Sequence, residues 1–255
     1  MRRLENPIKE AKGTYVIAEI GSNHGGRLEC AYALIEEAAK AGATAVKFQL
    51  FKLEDILNNV NKGDRDWELP KAWIPDLAEC ALKNKVDFIC TPFAPWAVEI
   101  LDVYVKVWKI GSYEYKRKDI WDAVINTKKP IIWSDGRGVT PFEPTGLRGV
   151  YRLHCVSKYP ALPIDYDMGI LSRECDGISD HTLSTVLPGV AVSHGAYIVE
   201  KHFCLSRLYG GIDTLHSVEP LEFREMMTYI KLGEEILAGR DAQPPYPPPS
   251  RNRRE

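Results

Sequence analysis

Eight short apolar runs recur along this chain, and each carries a polar or charged residue at or within two positions of its C-terminal end. They occupy 15–20, 45–50, 86–93, 105–112, 130–134, 150–157, 177–181 and 196–203. Most are followed by apolar residues at helical spacing. Ala31, Leu34, Ile35, Ala38 and Ala39 follow the first run and stop at Gly42; Trp73, Leu77, Ala81 and Leu82 follow the second. Several runs are apolar on both faces, as strands buried on both sides of a parallel sheet are. Strand and helix alternating in this way predict an α/β fold, a (β/α)8 TIM barrel. An open doubly wound sheet would need no eighth strand and would open on a glycine-rich turn. Gly21-Ser22-Asn23-His24-Gly25-Gly26 lacks the GxGxxG order of that turn.

The 255 residues fit one barrel domain over 1–240, closed by a helix that opens near Pro220 and turns Phe223, Met226, Met227 and Ile230 inward. The barrel is expected to be trimmed. Residues 135–149, after strand five, are too rich in glycine and proline for a full helix, and the room after strand six is also short. The proline-rich stretch 241–255 reads as a disordered tail. A formal net charge of −2 gives no basic field for nucleic acid or for an anionic membrane. The start, 1–12, has no apolar signal core, and no run approaches a membrane span. Six cysteines without CxxC spacing read as reduced core thiols of a cytoplasmic protein.

Barrels of this class do chemistry at the C-terminal ends of their strands, and polar residues collect there in this sequence. Glu19 ends strand one, Lys47 and Gln49 strand two, and Thr91 strand three. Lys109, Ser112 and Glu114 follow strand four, and Ser134 ends strand five. Ser157 and Tyr159 close strand six, Ser179 and His181 strand seven, and Lys201 and His202 strand eight. Buried lysines need a partner. For Lys47, Lys109 and Lys201 a shared anion cradled with hydroxyl donors is the simplest, the alternative being ion pairs with Glu19, Glu114 and Glu200. His181 and His202 lie about twenty residues apart, near one β/α unit, each beside an acid (Asp180, Glu200). That spacing sets two imidazoles side by side for a borderline divalent metal. Among the other histidines, His24 is placed to face substrate from the loop after strand one, and His216 lies near Asp213 after strand eight. His154 reads as core or as support for the site, and His194 as structural. A metal-assisted reaction on a phosphate-bearing substrate follows.

In this order the pieces resemble the sialic acid synthases, the N-acetylneuraminate synthase family that includes spore-coat polysaccharide and legionaminate-type synthases. The pieces are Ala18-Glu19-Ile20-Gly21 with Asn23-His24, Val46-Lys47-Phe48-Gln49, Thr91-Pro92-Phe93, Lys109-Ile110-Gly111-Ser112, and His154-Cys155-Val156-Ser157 with Tyr159-Pro160. Ser179-Asp180-His181-Thr182, Glu200-Lys201-His202-Phe203 and Gly210-Gly211-Ile212-Asp213 complete the set, over roughly residues 14–235. The resemblance implies a barrel that condenses phosphoenolpyruvate (PEP) with an aldose, typically an N-acetylmannosamine-type hexosamine, to a 2-keto sugar acid, releasing phosphate. It implies Mn²⁺, or else Mg²⁺ or Co²⁺, on His181 and His202. It gives PEP to Lys47, Thr91, Lys109, Ser112, Ser134, Ser157 and Ser179, and the sugar to Gln49, Tyr159 and Asp213. Glu19 is placed to meet the sugar and to orient or deprotonate water. The alternatives are another metal-dependent lyase or isomerase, or a non-catalytic sugar- or PEP-binding relative.

The sequence also departs from the family pattern. Members carry a C-terminal antifreeze-like domain that supplies an arginine across a homodimer, and this sequence ends before one. Arg137, Arg207 or a separate protein is expected to supply that charge. Ser157 stands for a frequent asparagine, Ser134-Asp135-Gly136-Arg137 for Ser-Thr-Gly-Met, and Ile212 for a frequent proline.

Overall fold

The structure, a computed structural model, describes residues 6–56, 66–136, 149–209 and 211–242. Eight parallel strands form one sheet: β1 (Tyr15–Gly21), β2 (Ala45–Leu50), β3 (Asp87–Pro92), β4 (Trp108–Ile110), β5 (Ile131–Asp135), β6 (Val150–Cys155), β7 (Gly177–Asp180) and β8 (Ile198–His202). Their order is β3-β2-β1-β8-β7-β6-β5-β4. Because β1 pairs with both β2 and β8, the first and last strands meet and the sheet curls into a barrel. The seam falls between β3 and β4, which pack side by side without a hydrogen-bonded ladder. This is the expected (β/α)8 barrel. The fourth run was expected over 105–112, yet only Trp108–Ile110 is strand; 111–116 turns across the mouth instead.

The helices are α1 (Pro7–Glu10), α2 (Leu28–Ala41), α3 (Leu53–Ile56), α4 (Ile74–Lys83), α5 (Pro95–Leu101), α6 (Lys118–Asn126), α7 (Leu187–Ser193) and α8 (Pro220–Ala242). α2 buries Ala31, Leu34, Ile35 and Ala38 and ends on Gly42 at φ 104°, a left-handed cap open to glycine at low cost. The α4 stripe is Ile74, Leu77 and Ala81. Leu82, expected on it, lies one step round the helix and is 73% exposed. Two one-turn 3-10 helices, Pro163–Asp165 and Met168–Ile170, stand between β6 and β7 where a full helix was not expected. The glycine-rich loop after β5 (137–148), with Arg137, and the tail beyond 242 lie outside the described residues. α7 and α8 cross so closely that a Cβ on Gly189 would strike the Tyr229 carbonyl, and one on Gly233 the Gly189 carbonyl. No described helix is long and apolar enough to cross a membrane.

Strand alternation sorts the side chains. Outward residues such as Val16, Ala18, Val46, Phe48, Trp108 and Ile178 pack under the helices. Inward residues at the strand beginnings, among them Tyr15, Ile17, Ile89, Ile132 and Leu153, form an apolar floor joined by Ile8 of α1. Each such aliphatic side chain contributes roughly 1.5–3 kcal/mol by burial. One step further along the strands that gain is forgone, and charged residues take the inward positions.

Candidate active site

The next inward positions hold Glu19 on β1, Lys47 on β2, Lys109 on β4 and Glu200 on β8, all buried. They line a cavity of about 380 Å³ that opens at the C-terminal ends of the strands. Gln49, Thr91, Ser112 and Ser134 line its first half, and Tyr159, Ser179, His181, His202 and Asp213 its second. Ser157 does not line the cavity; its hydroxyl donates to Ser112 Oγ at 3.1 Å and meets the site through that contact.

Both lysines are held from two sides. Lys47 Nζ lies 2.9 Å from Glu19 Oε2 and 3.6 Å from Glu200 Oε2, and donates to Thr91 Oγ1 at 3.2 Å. Lys109 Nζ donates to Ser134 Oγ at 2.7 Å and to the Ile110 carbonyl at 3.1 Å, and sits 3.6 Å from Glu200 Oε1. Glu200 accepts from Ser179 Oγ at 2.9 Å, and Glu19 from Gln49 Nε2 at 2.7 Å. Of the carboxylates read in the sequence, Glu19 and Glu200 pair with these lysines, and Glu200 rather than Glu114 is the one beside Lys109; hydroxyls of Thr91 and Ser134 stand next to the same ammonium groups. Burial pushes Glu19 up to about 7 against the pull of Lys47. Burial also opposes ionisation of Glu200, but Lys109 and Lys47 outweigh it and hold that carboxyl below its ordinary range. Lys47 is raised because Glu19 and Glu200 outweigh its burial, whereas burial lowers Lys109 despite Glu200.

Lys201 corrects the expected ring of three lysines. Alternation turns Glu200 and His202 inward and Lys201 outward, where its Nζ lies 2.7 Å from Asp180 Oδ2 and donates to the Thr182 and Ser184 carbonyls. It takes no part in the cavity.

The histidines form a ring cluster. His181 Nδ1 lies 2.7 Å from the Val156 carbonyl. A carbonyl only accepts, so Nδ1 carries the proton and Nε2 keeps its lone pair. Tyr166 fixes this strand end: its hydroxyl accepts from the His181 amide and donates to the Ser179 carbonyl, both at 2.9 Å. The Tyr159 ring stacks on His181 with centroids 4.2 Å apart. His181 and His202 have centroids 5.4 Å apart, and His202 and His216 4.7 Å. Burial pushes His181 down to about 4 and His202 well below its ordinary value. Both are therefore neutral imidazoles near pH 7, the form that binds a metal.

Among the described residues, the ligand atoms of His202, Asp213 and His216 all lie within 4.8 Å of one another. His202 Nδ1 is buried without a hydrogen-bond partner. This donor chemistry fits a borderline divalent ion. The mutual grouping differs from the histidine pair read in the sequence: it adds the turn after β8 and leaves His181 outside it, although His181 lines the same cavity. His216 is the residue that sequence reasoning undervalued. Its signal was the three-residue spacing from Asp213, which one 3-10 turn (Thr214–His216) converts into proximity.

The other candidates fall elsewhere. His24 is buried between Phe48 and Trp73 and does not line the cavity, against the expectation that it faces substrate. His154 Nε2 accepts from the Asp167 amide at 3.1 Å, and His194 is exposed at the end of α7. Arg207 is committed to Glu222, at 2.6 Å and 2.8 Å, and to the Ser217 carbonyl at 2.9 Å. Asp135 pairs with Arg152. None of the six cysteines is in a disulfide. Cys155, which lines the cavity, has its thiol pushed up to about 11 by burial, so it is not a thiolate nucleophile at neutral pH.

A closed layer of two lysines, two glutamates and flanking hydroxyls, roofed by imidazoles, defines a β/α-barrel enzyme built for an anionic substrate. Comparison with known proteins narrows this class. The model of the NeuB family matches residues 34–241. An uncharacterized protein of Methanocaldococcus jannaschii is 33% identical over 93% of this chain and 76% of its own length. The N,N'-diacetyllegionaminic acid synthase of Legionella pneumophila is 30% identical over 90% of this chain and 75% of its own. The crystal structure of N-acetylneuraminic acid synthetase from Leptospira borgpetersenii, in complex with citrate, superposes with a TM-score of 0.81 at 29% identity, over 91% of this chain and 88% of that one. The chain belongs to the NeuB family. It is a sialic acid synthase-like enzyme, a PEP-dependent transferase that forms carbon–carbon bonds.

Proposed function

We propose that this enzyme condenses PEP with the aldehyde of an open-chain aldose, an N-acetylmannosamine-like hexosamine, to give a 2-keto sugar acid and inorganic phosphate. The observation that carries the reading is the pair Lys47 and Lys109. Their ammonium groups sit beside Thr91, Ser134 and Ser179 over an apolar floor, a setting for a small, highly charged anion. Lys47 and Lys109 with Thr91, Ser112, Ser134 and Ser179 bind the phosphate and carboxylate of PEP, and Ser157 acts through Ser112. Gln49, Tyr159 and Asp213 meet the sugar from the cavity's outer wall.

In the reaction C3 of PEP attacks the aldehyde carbon and the new C–C bond forms. The aldehyde oxygen takes a proton and water adds at C2. The bond from C2 to the phosphate oxygen then breaks, and phosphate leaves. Glu19, raised to about 7, is matched to accept the proton of that water near neutral pH. His181 and His202 hold the divalent ion, Mn²⁺ by preference. When bound, such an ion supplies Lewis-acid polarisation of the aldehyde oxygen.

The test is phosphate release from PEP across a panel of aldoses, with Mn²⁺ supplied. Release that requires both a hexosamine and PEP, and that is lost in Lys47→Met, supports the reading. PEP left untouched with every aldose, alongside a folded protein, overturns it.

A further inference from the structure

We infer that Asp213 and His216 are ligands of the ion held by His181 and His202, so that the site offers three imidazoles and one carboxylate. The inference rests on the reading above for the presence of an ion and goes beyond it in assigning the donors.

The turn that carries Asp213 and His216 is tied to the end of β8. The Val218 amide donates to the His202 carbonyl at 2.9 Å, and the Cys204 amide to the Val218 carbonyl at 3.1 Å. Asn23 reaches over from the β1 loop and donates to the Phe203 carbonyl at 2.9 Å and to Ser217 Oγ at 3.0 Å. Ser217 Oγ in turn donates to the Asp213 carbonyl at 2.7 Å. His202, Asp213 and His216 are therefore fixed relative to one another before any ligand arrives, the pre-organisation a metal site needs.

Their polar atoms are left with little else to do. His216 Nε2 lies 3.3 Å from Asp213 Oδ1 without hydrogen-bond alignment, and His202 Nδ1 has no partner. Buried polar groups left unpaired cost roughly 1–3 kcal/mol each, and such groups converging in one cavity are relieved together by a cation. A plain Asp213–His216 ion pair would close that gap and would leave His202 unexplained. The Tyr159 ring packs at 4.9 Å against His216 and at 4.2 Å against His181, bridging the two imidazoles that flank His202. A donor set of three nitrogens and one oxygen favours Mn²⁺, Fe²⁺, Co²⁺ or Zn²⁺ and disfavours Mg²⁺, which prefers oxygen ligands and bound water. Asp213 is then taken from the sugar and given to the ion.

The experiment is Mn²⁺ titration of the whole chain without PEP or sugar, read by electron paramagnetic resonance, with pulsed measurements counting the imidazole nitrogens on the bound ion. Wild type is expected to show three nitrogens, and His181→Ala two. His216→Gln and Asp213→Asn are each expected to weaken Mn²⁺ by at least about tenfold, since even residues supporting a ligand from outside cost that much. Mg²⁺ in large excess should fail to displace Mn²⁺. Two nitrogens in wild type, or Mn²⁺ affinity within threefold of wild type in His216→Gln, overturns the inference. The wild-type count stands whether or not a variant folds. Phosphate release measured in parallel separates the two claims: release with only two nitrogens sinks this assignment and leaves the proposed reaction standing.

Discussion

Glu19 and Lys47 face each other across paired positions of β1 and β2, carboxylate to ammonium at 2.9 Å, and Glu19 is also the register partner of His202 on β8. One carboxylate thus borders the anion cradle on one side and the imidazole cluster on the other. Its raised value near 7 makes it a group in the cavity whose charge changes at working pH. Below that value it is protonated and cannot accept a proton from water. Phosphate release is expected to climb as pH rises through about 7 and then level off. Glu19→Gln is expected to lose roughly 10²–10⁴ in rate, the usual worth of a general base, and to lose the rising limb as well. A variant that keeps the wild-type pH profile would remove Glu19 from that role.

The Lys201–Asp180 pair lies on the opposite side of the same strands, fully buried. Lys201→Met would strip the buried Asp180 carboxyl of its ammonium partner and leave it only the Thr182 amide, a change expected to cost about 3–5 kcal/mol of stability. Because this pair faces the helices, the double variant Lys201→Met with Asp180→Leu should recover most of that loss in denaturant unfolding. PEP affinity of the double variant should match wild type. Loss of PEP binding there would return Lys201 to the cradle.

His24 gives a pH signature independent of the site. Burial between Phe48 and Trp73 pushes it down to about 4 from an ordinary value of 6.5. Above pH 6.5 both folded and unfolded chains hold it neutral, and its contribution is complete. As pH falls from 6.5 towards 4 the unfolded chain takes the proton first, so stability is lost at up to about 1.4 kcal/mol per pH unit. Unfolding free energies of wild type and His24→Phe, compared across pH 4–7, should diverge by about 3 kcal/mol at the acid end. Parallel curves would show that His24 is protonated in place.

The barrel was legible because eight short apolar runs recur, most of them followed by apolar residues at helical spacing, and the site because polar residues interrupt those runs near the same end of each strand. Two kinds of information were not in the pattern. Lys201 read as one more strand-end lysine, although a single step along β8 decides which side of the sheet a residue faces, and Glu200 and His202 had already taken the inner one. His216 sat in a loop without periodicity, so its approach to His202 depended on the ladder between residues 202 and 218, which spacing alone does not reveal. Leu82 failed for a simpler reason: an apolar residue beside the stripe is as compatible with helical spacing as one on it.

The most direct measurement of the central claim is calorimetric titration of PEP, with Mn²⁺ present, into wild type and into Lys109→Met. Lys109 touches Ser134 and neighbours Glu200 without reaching the imidazole cluster, so its loss bears on the anion cradle and leaves the metal donors in place. The expected result is saturable binding of one PEP per chain, weakened by about 100-fold or more in the variant, in keeping with the roughly 1.5–3 kcal/mol carried by each hydrogen bond to a charged group. PEP that fails to bind wild type, or that binds both proteins alike, would contradict it.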